Sequence, residues 1–493
     1  MSVDTVSLTG WGRTAPTTAL RFRPTSYEEA AATVRGCGPR GSIARGLGRA
    51  HGDSAQNAGG SVLDMTALNR VLAFDAGTGE VVCEAGVSLH RLLEVLLPLG
   101  WFLPVTPGSR YITVGGAIGS DVHGDNHRAA GSFSRHVVRF ELLTAGGGIR
   151  TVRPGTPLFD ATTGGMGLTG VILSATLRFH PVATSLMSVD TERAADLDDL
   201  MTRLATDGDR HRYASARVDL TSRGRATGRG VLTRGEHAPL DALPAHARRT
   251  PLAFRTAQRP ATPSRVPGLV SDRGSGLVPS LGSGLLSDPG SGFGSGLLSD
   301  LGSGLGSAIG SGGLLGRASA AALAELRHRR APRSRAGELR RISAFFHPLD
   351  AVPHWSPVQG RGGLVHYEFA VGHGQEETLH RIVRQLSQRR SAPFPGVLRR
   401  FGAGDPGWLS FPVPGWALSL DLPAALPGLA RFLDGLDEEV AASGGRVCLT
   451  NDARIRPDVL TTMYPRLGDF RSLRAELDPD GAFRSDLSRR LSL

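Results

Sequence analysis

The stretch ARGLGRAHGDSAQN, residues 44–57, places a glycine-rich loop directly after a short predicted strand, SIAR at 42–45. Glycine allows the backbone to approach a ligand closely and to adopt positive φ, so such a loop can direct several amide N–H groups at a phosphate. Its spacing matches neither the GxGxxG fingerprint of βαβ units nor the GxxxxGK[ST] phosphate loop. The loop therefore indicates a nucleotide-binding architecture of another kind.

Two further glycine-rich stretches lie between predicted strands and helices. PGSRYITVGGAIGSDVHGDNH occupies 107–127, and TTGGMGLTGVI occupies 162–172. The other predicted elements of this part are a helix over 24–35 capped by Thr25 or Ser26, strands at 61–65 and 80–85, and an amphipathic helix after Ser88. This succession predicts an α+β fold whose loops approach a ligand closely.

Length and cysteine content bound the class of protein. With 493 residues the chain is too long for one hydrophobic core, so we expect two domains. The three cysteines, Cys37, Cys83 and Cys448, are too scattered for a disulfide framework and fit a reducing compartment. No secretory signal is predicted, because the N-terminal MSVDTVSLTGWGR has no positively charged segment leading into an apolar core. No transmembrane helix is predicted either, because prolines and charged residues interrupt the best apolar run at 89–105. A cytoplasmic location follows as the expectation.

The formal net charge is +11, and every one of the 56 basic residues is arginine. An excess of positive charge attracts anions, among them cofactor phosphates, phospholipid surfaces, phosphorylated substrates and nucleic acids. The arginine-rich stretch at 322–341, predicted to be helical, lacks the interleaved aromatic residues of a surface for single-stranded nucleic acid. We therefore predict no nucleic-acid partner, and peripheral membrane contact stays open.

Between about 255 and 316 the sequence changes to repeats of glycine, serine and leucine, such as GSGLLSDP and GSGLLSDL. Side chains are too sparse there to offset the conformational entropy that folding removes. We predict a flexible insertion. A β-solenoid is the alternative, but the repeats lack a regular pattern of β-branched core residues.

The glycine-rich blocks resemble the FAD-binding domain of the vanillyl-alcohol oxidase superfamily (PCMH-type), in the form found in aldonolactone and alditol oxidases. Blocks along the whole chain are similar to the decaprenylphosphoryl-β-D-ribose 2′-oxidase family: LTGWGRTAP at 8–16, ARGLGRAHGDSAQN at 44–57, TPGSRYITVGGAIGSDVHGDNH at 106–127, AGSF at 130–133, GGMGLTGVI at 164–172, HPLD at 347–350, SFPVPGW at 410–416, MYPR at 463–466 and DPDGAFRSDLSRRL at 478–491. This resemblance implies an FAD-binding domain formed by 1–186 and 446–493. It also implies a substrate domain with an antiparallel sheet over 187–445, which contains the insertion.

The resemblance further implies that FAD lies along the glycine-rich loops. The residues expected to line or hold it are Gly46, Leu47, Gly48, Arg49, Ala50, His51, Asn57, Thr113, Gly115, Gly116, Gly119, Gly167, Thr169, Gly170, Ile172 and Tyr464. Many members of the superfamily attach FAD covalently through a histidine of the first loop, and Arg49 occupies that position here. His51 lies two residues further on, where the closer family usually has tyrosine. Non-covalent FAD is therefore predicted.

Oxidation of a carbinol needs an acceptor for the hydroxyl proton and a donor that stabilises the reduced flavin. By resemblance, His123 matches an active-site histidine of the family, Asn451 aligns with its active-site lysine, and Ser419 aligns with a cysteine beside the flavin. Because the chain has no lysine, no shifted copy can replace it. Asn451 can donate hydrogen bonds, but it supplies neither a positive charge nor a base.

Four more residues are expected in the substrate pocket. His366, Tyr367 and Glu368 stand where the family has a glutamine–tyrosine–glutamine pattern, and Cys448 stands where tyrosine is common. On a strand, His366 and Glu368 share one face, so they form either a charge-paired or acid–base pair, or a solvated strand face. No metal site is predicted.

The sequence leaves three functions open. The first is oxidation of the 2′-hydroxyl of a polyprenylphosphoryl ribose to a ketone, with an NAD-dependent short-chain reductase as the partner that completes an epimerisation to arabinose. The second is oxidation of a soluble sugar, alditol or nucleoside, which the replacements at Ser419, His366, Glu368 and Asn451 motivate. The third is a flavin-binding scaffold that has lost catalysis.

Overall fold

The computed structural model describes residues 2–206, 210–254, 314–347, 350, 362–389 and 396–493. Most of the predicted flexible insertion, 255–313, lies outside the described residues. Its last three residues, 314–316, begin a helix, Leu314–Arg330, so the insertion was predicted to end too late.

The first sheet contains the strand that precedes the glycine-rich loop. Its strands are β1 (Ser2–Leu8), β2 (Thr17–Arg23), β3 (Ser42–Arg45) and β4 (Ser61–Asp64), in the order β1-β2-β4-β3. The first two strands are antiparallel, and β4 pairs in parallel with both β2 and β3. Helix α1 (Tyr27–Arg35) begins at Ser26, whose side chain accepts a hydrogen bond from the amide of Glu29, as the capping pattern predicts.

The second sheet is antiparallel and carries the other glycine-rich loops. Its strands are β5 (Val71–Asp75), β6 (Glu80–Glu84), β8 (Val137–Leu143), β9 (Ile149–Val152) and β10 (Val171–Arg178), in the order β5-β6-β10-β8-β9. The short strands β7 (Trp101–Phe102) and β11 (His180–Pro181) pair with each other. The helices of this part are α2 (Leu89–Leu96), capped by Ser88, with α3 (Val114–Gly119), α4 (His127–Ala130) and α5 (Pro157–Thr162).

The third sheet has eight antiparallel strands. They are β12 (Leu186–Ala194), β13 (Tyr213–Val218), β14 (Gly230–His237), β15 (Ser334–Arg341), β16 (Leu364–Gly372), β17 (Gly396–Phe401), β18 (Gly415–Pro423) and β19 (Arg446–Val447), in the order β15-β12-β14-β13-β17-β18-β16-β19. Strand β15 corrects the prediction that 322–341 is entirely helical, because only the first part of that stretch is helix.

Three amphipathic helices cover one face of this sheet. They are α6 (Leu197–Thr206), α9 (Glu376–Gln388) and α10 (Leu429–Ala442), and α7 (Leu314–Arg330) and α8 (Ile342–Phe346) flank β15. Leucines of the three helices pack with Phe369, Val371 and Leu418 in the largest hydrophobic cluster. Because side chains alternate along a strand, residues 366 and 368 of β16 face away from these helices.

The C-terminal segment returns to the first sheet, as the resemblance implies. Its helices are α11 (Pro457–Met463), α12 (Leu467–Leu477) and α13 (Asp486–Leu491). Phe483 forms a β-bridge with Ser42, and Arg490 forms an ion pair with Asp53 at 2.9 Å. The sheets and this return agree with the α+β expectation, and the division into two domains stays a prediction. Within the described ranges, no helix has the length and apolar character needed to span a membrane.

Candidate functional site

A cleft lies among the glycine-rich loops. Most of the residues predicted to hold the cofactor line it: Gly46, Leu47, Gly48, Arg49, Ala50, Thr113, Gly115, Gly116, Gly119, Gly167, Gly170 and Ile172. Loops that are distant in sequence, 44–50, 112–122 and 162–172, thus converge on one elongated space. A ligand with several parts, such as a dinucleotide, fits a cleft built in this way.

The first loop passes so close to α3 that only glycine fits at Gly46. A Cβ atom added there would lie 2.2 Å from Oγ1 of Thr113, which caps α3 by accepting a hydrogen bond from the amide of Gly116. Backbone amides of the loop and of the helix start can therefore face the same ligand. This is the arrangement that a pyrophosphate group needs.

The structure corrects three of the predicted cofactor residues. Tyr464 is buried in the largest hydrophobic cluster, and its hydroxyl donates to the carbonyl oxygen of Val447 at 2.8 Å, because α11 packs it inward. Asn57 and Thr169 lie behind the cleft lining. The Asn57 amide donates to the carbonyl oxygen of Gly41 at 2.9 Å, so it holds the loop. Oγ1 of Thr169 lies 2.9 Å from that of Thr162, which does line the cleft.

We expect replacement of Gly46 by alanine to lower the affinity for FAD about tenfold or more. The added methyl group would force Thr113 or the loop to move, and overpacking of this kind costs about 1–3 kcal/mol. Equilibrium dialysis against FAD measures the change. Gly38→Ala is the matched control, since a Cβ at Gly38 would meet no atom within 4 Å. Equal FAD affinity in the two variants would contradict the placement of this loop at the cofactor.

A cluster of polar side chains continues from one end of the cleft. Ala50, Val122 and Thr450 line the cleft, and the next residue of each segment, His51, His123 and Asn451, belongs to the cluster. The loop around His51 is fixed against the C-terminal segment, because a Cβ at Gly52 would lie 1.7 Å from the carbonyl oxygen of Asp452. Only glycine allows this contact.

Strand register supplies the rest of the cluster. In the antiparallel pair of β16 and β18, His366 lies opposite Asp421 and Glu368 lies opposite Ser419. Directly opposed side chains on one face of a sheet are close enough to interact. His366 Nδ1 lies 2.7 Å from Asp421 Oδ1, so the two side chains form a hydrogen bond across the strands. Sequence reasoning placed His366 and Glu368 on one face, and the structure confirms this.

Glu368 is the centre of a continuous hydrogen-bond chain. His123 Nε2 lies 3.1 Å from Oε1 of Glu368, and Nδ2 of Asn451 donates to Oε2 at 2.7 Å. Oδ1 of Asn451 in turn lies 3.0 Å from Nδ1 of His51. Since only 4% of Glu368 is exposed, the alternative of a solvated strand face is wrong. His366 and Glu368 each take another partner, so they do not form a direct pair.

Arg399 supplies the fixed positive charge of the cluster. Its Nη1 donates to Oγ of Ser419 at 3.2 Å and lies 3.7 Å from Oε1 of Glu368, while its Nε donates to Asp125 at 2.7 Å. Arg399, Asp125 and Asp421 were not predicted from the sequence. Asp421 could have been, because it follows Ser419 by two residues on a strand and so shares its face. Nothing in the sequence distinguishes Arg399 from the other arginines.

One residue predicted in the substrate pocket has other surroundings. The Tyr367 hydroxyl donates to Asp437 of α10 at 3.0 Å, on the helix-covered face of the sheet. Strand alternation thus turns Tyr367 away from the cluster, and its assignment to the pocket was wrong.

Cys448 lies beside the cluster. It is buried with Phe401 and Phe411, and its amide donates to the carbonyl oxygen of Glu368. Burial and the neighbouring Glu368 carboxylate raise the pKa of its thiol, so it is not a ready nucleophile.

The charges of the cluster follow from burial and partners. Burial opposes ionisation of Glu368, but the facing His123, His366 and Arg399 outweigh it and hold the pKa of Glu368 below its usual range. Burial likewise opposes a charge on His366, yet Asp421 raises its pKa. For His51, burial and the nearby His366 lower the pKa to about 4. Glu368 is therefore a carboxylate, and His51 is a neutral imidazole at neutral pH.

Comparisons with known proteins agree with this geometry. A family model described as an FAD binding domain matches residues 18–153. Decaprenylphosphoryl-beta-D-ribose oxidase of Mycolicibacterium smegmatis is 37% identical over 497 residues, which cover 99% of this chain and 98% of that protein. An uncharacterized protein in the mprA 5′ region of Streptomyces coelicolor is 52% identical over 83% of this chain and its own full length. L-gulonolactone oxidase of Bos taurus is 30% identical over 39% of this chain and 46% of its own length.

The glycine-lined cleft, the matching FAD-binding model and the oxidase relatives define an FAD-dependent oxidoreductase. The cleft fits the cofactor, since its loops come too close for any side chain at Gly46 and its lining leaves Nε of Arg49 buried without a hydrogen-bond partner among the described residues. Similarity along the whole chain goes further. The chain belongs to the decaprenylphosphoryl-β-D-ribose oxidase family.

Proposed function

We propose that the protein oxidises a secondary alcohol of a sugar, and that its substrate is a polyprenylphosphoryl ribose whose 2′-hydroxyl becomes a ketone. The observation that carries the proposal is the buried polar cluster around Glu368, which adjoins the cofactor cleft through three separate segments. The whole-length similarity to a decaprenylphosphoryl-β-D-ribose oxidase supports this choice of substrate. An NAD-dependent short-chain reductase that acts on the ketone, and peripheral contact with a membrane, belong to the same proposal.

When bound, FAD accepts the hydride from the carbinol carbon. His123 accepts the remaining proton of the hydroxyl group, and Glu368 stabilises the protonated His123. Because Nε2 of His123 faces the carboxylate, Nδ1 is the nitrogen left to accept a proton, and Glu368 offsets the positive charge that then forms. Phe401 and Phe411 pack around the His123 ring, with centroids 5.1 and 5.3 Å away, and limit access of water to it.

Arg399 orients the substrate in this scheme, and Asn451 orients the Glu368 carboxylate. Asn451 can donate only through an amide that already faces Glu368, so it positions that carboxylate and does not replace a lysine charge. Arg399 carries the positive charge, held by Asp125 and Ser419. We propose that Arg399 and Ser419 contact hydroxyl groups of the sugar, and that Asn451 acts through Glu368.

FAD is proposed to be bound without a covalent bond. Arg49 lies in the cleft at the position of the superfamily's attachment histidine, with its guanidinium 4.0 Å above the Trp11 ring. His51 is turned toward Asn451 and His366. We expect acid precipitation to leave yellow flavin in the supernatant. Yellow colour that stays with the protein pellet would contradict non-covalent binding.

The substrate is tested by anaerobic addition to the purified holoprotein. We expect a prenylphosphoryl ribose to bleach the flavin absorbance, and ribose 5-phosphate and free ribitol to do so far more slowly. Reduction by soluble sugars or alditols without dependence on a lipid tail would favour the second candidate, which the polar His366–Asp421 pair in the pocket supports. Bound flavin that no carbinol reduces would overturn both proposals and leave a flavin-binding scaffold.

A further inference from the structure

Three side chains of the polar cluster take no part in the proposed proton transfer. His51, His366 and Asp421 lie together, and one ligand atom from each falls within 4.8 Å of the others. All three are partly buried, with 20% of the His366 side chain and 28% of the Asp421 side chain exposed. They come from the first loop and from two strands that hold them in fixed register. The cluster is therefore preformed and still open on one side.

The hydrogen bonds of the cluster show which nitrogen of each histidine can bind an ion. Nδ2 of Asn451 donates to Glu368, so the amide oxygen faces Nδ1 of His51. Nδ1 of His51 thus carries the proton, and Nε2 keeps its lone pair. Nδ1 of His366 lies 2.7 Å from Oδ1 of Asp421, so an ion bound by these two atoms takes the place of the proton between them.

His51 has the pattern of a histidine that binds a metal. A metal-binding imidazole usually directs its second nitrogen at a carboxylate or carbonyl oxygen, which fixes the tautomer and the ring orientation. For His51 that oxygen is the amide oxygen of Asn451, and Asp421, beside Nδ1 of His366, supplies the carboxylate ligand. Two imidazoles and one carboxylate are a ligand set that zinc accepts, whereas magnesium and calcium prefer oxygen ligands throughout.

We propose that His51, His366 and Asp421 bind one divalent transition-metal ion, with zinc as the best fit. The two imidazole rings now stack with centroids 4.5 Å apart and planes at 18° to each other. Zinc bonds of about 2.1 Å in tetrahedral geometry bring ligand atoms to roughly 3.4 Å, so one ring must turn on binding. The fourth position faces the pocket, where it would take water or a substrate oxygen and supply the positive charge that no lysine provides.

Isothermal titration of the chelator-treated and dialysed holoprotein with zinc chloride tests the site without any substrate. We expect saturable binding of a single ion per chain, and magnesium chloride should give none. His366→Gln and Asp421→Asn should each weaken zinc binding at least tenfold. His373→Gln is the matched control, because this histidine lies on the surface, with 48% of its side chain exposed, and should bind zinc like the wild type.

Failure of zinc to bind, or equal binding by all three variants, would overturn the proposal. The visible spectrum of each variant shows whether FAD is retained, so loss of the fold is not mistaken for loss of the site. If a variant does lose flavin, X-ray absorption of the zinc-loaded wild type decides the question. It should show nitrogen and oxygen ligands at about 2.0–2.1 Å with two imidazoles, and any other ligand set contradicts the site. These results are independent of which carbinol the enzyme oxidises.

Discussion

Replacement of Glu368 by glutamine should slow flavin reduction about 10²–10⁴-fold, the usual contribution of a general acid–base group, while FAD stays bound. Glutamine has nearly the same shape and can still accept the hydrogen bond from Asn451. It cannot offset the positive charge on His123 after proton transfer, and it leaves Arg399 with one counter-charge fewer. Anaerobic stopped-flow measurement of flavin reduction gives the rate directly.

Glu377→Gln is the matched control for this variant, because it makes the same chemical change on the exposed side of α9. Its rate should equal that of the wild type. A sharper test adds Asn451→Lys to Glu368→Gln, which restores the lysine and glutamine that the resemblance assigns to these positions. We expect the double variant to recover part of the lost rate. An undiminished rate in Glu368→Gln alone would remove Glu368 and His123 from the proton-transfer step.

The pocket compensates locally for the absence of lysine. By resemblance, the family places lysine and glutamine where this chain has Asn451 and Glu368, so the fixed positive charge at one position is gone and a negative charge has appeared beside it. The guanidinium of Arg399 lies 3.7 Å from Oε1 of Glu368 and balances its negative charge, and Nε2 of His123 lies 3.1 Å from the same oxygen. Arginine stays protonated, so Arg399 can bind and orient but cannot accept the proton. In the proposed function, the hydroxyl proton therefore goes to His123.

Features set by local chemistry could be predicted from the sequence. The caps at Ser26 and Ser88 and the strand Ser42–Arg45 depend on neighbouring residues alone, and the structure confirms them. The helical prediction for the arginine-rich stretch passed over a local signal of the same kind. Pro332 and Gly337 lie in its second half, where residues 334–341 pair with β12 as an edge strand. Both residue types disfavour the interior of a helix.

The site could be predicted only where motif and strand alternation suffice. His123, His366, Glu368 and Asn451 do come together, and twelve of the predicted cofactor residues line one cleft. Tyr367 was misplaced although alternation already puts it on the opposite face. Arg399 and Asp125 could not be found, because their pairing depends on how β17 lies beside a loop more than two hundred residues earlier. The residues around Arg399 and Asp125 give no indication that these two distant segments lie side by side.

A second buried carboxylate, Asp405, holds the active-site loop to the large sheet. Its side chain is fully buried in the turn between β17 and β18. It accepts hydrogen bonds from His127 Nε2 at 2.8 Å, from the Ser132 hydroxyl at 2.7 Å and from Arg135 Nε at 2.6 Å. His127 is neutral, because its Nδ1 accepts a hydrogen bond from the amide of Gly402. One carboxylate thus satisfies donors from the segment that follows His123.

We expect Asp405→Asn to lower the free energy of opening of residues 127–136 by about 3 kcal/mol, because an amide leaves buried donors and Arg135 without their anionic partner. Amide hydrogen exchange measures this as a loss of protection of roughly 100-fold in that segment. Asp458→Asn is the control, since the Asp458–Arg456 pair lies on the surface and contributes little. Unchanged protection at 127–136 would show that Asp405 does not anchor the loop.

Protonation of Asp405 should also determine how the stability of residues 127–136 in the wild type responds to acid. Burial would raise the pKa of Asp405, but hydrogen bonds from His127, Ser132 and Arg135 hold it below the usual range. An acid with a lowered pKa in the folded state contributes stability that is fully present above its ordinary pKa of about 3.9 and is lost as the pH falls through the lowered value. Protection of 127–136 should therefore decline below about pH 4 in the wild type. In Asp405→Asn that part of the decline should be absent, since the amide has no proton to gain.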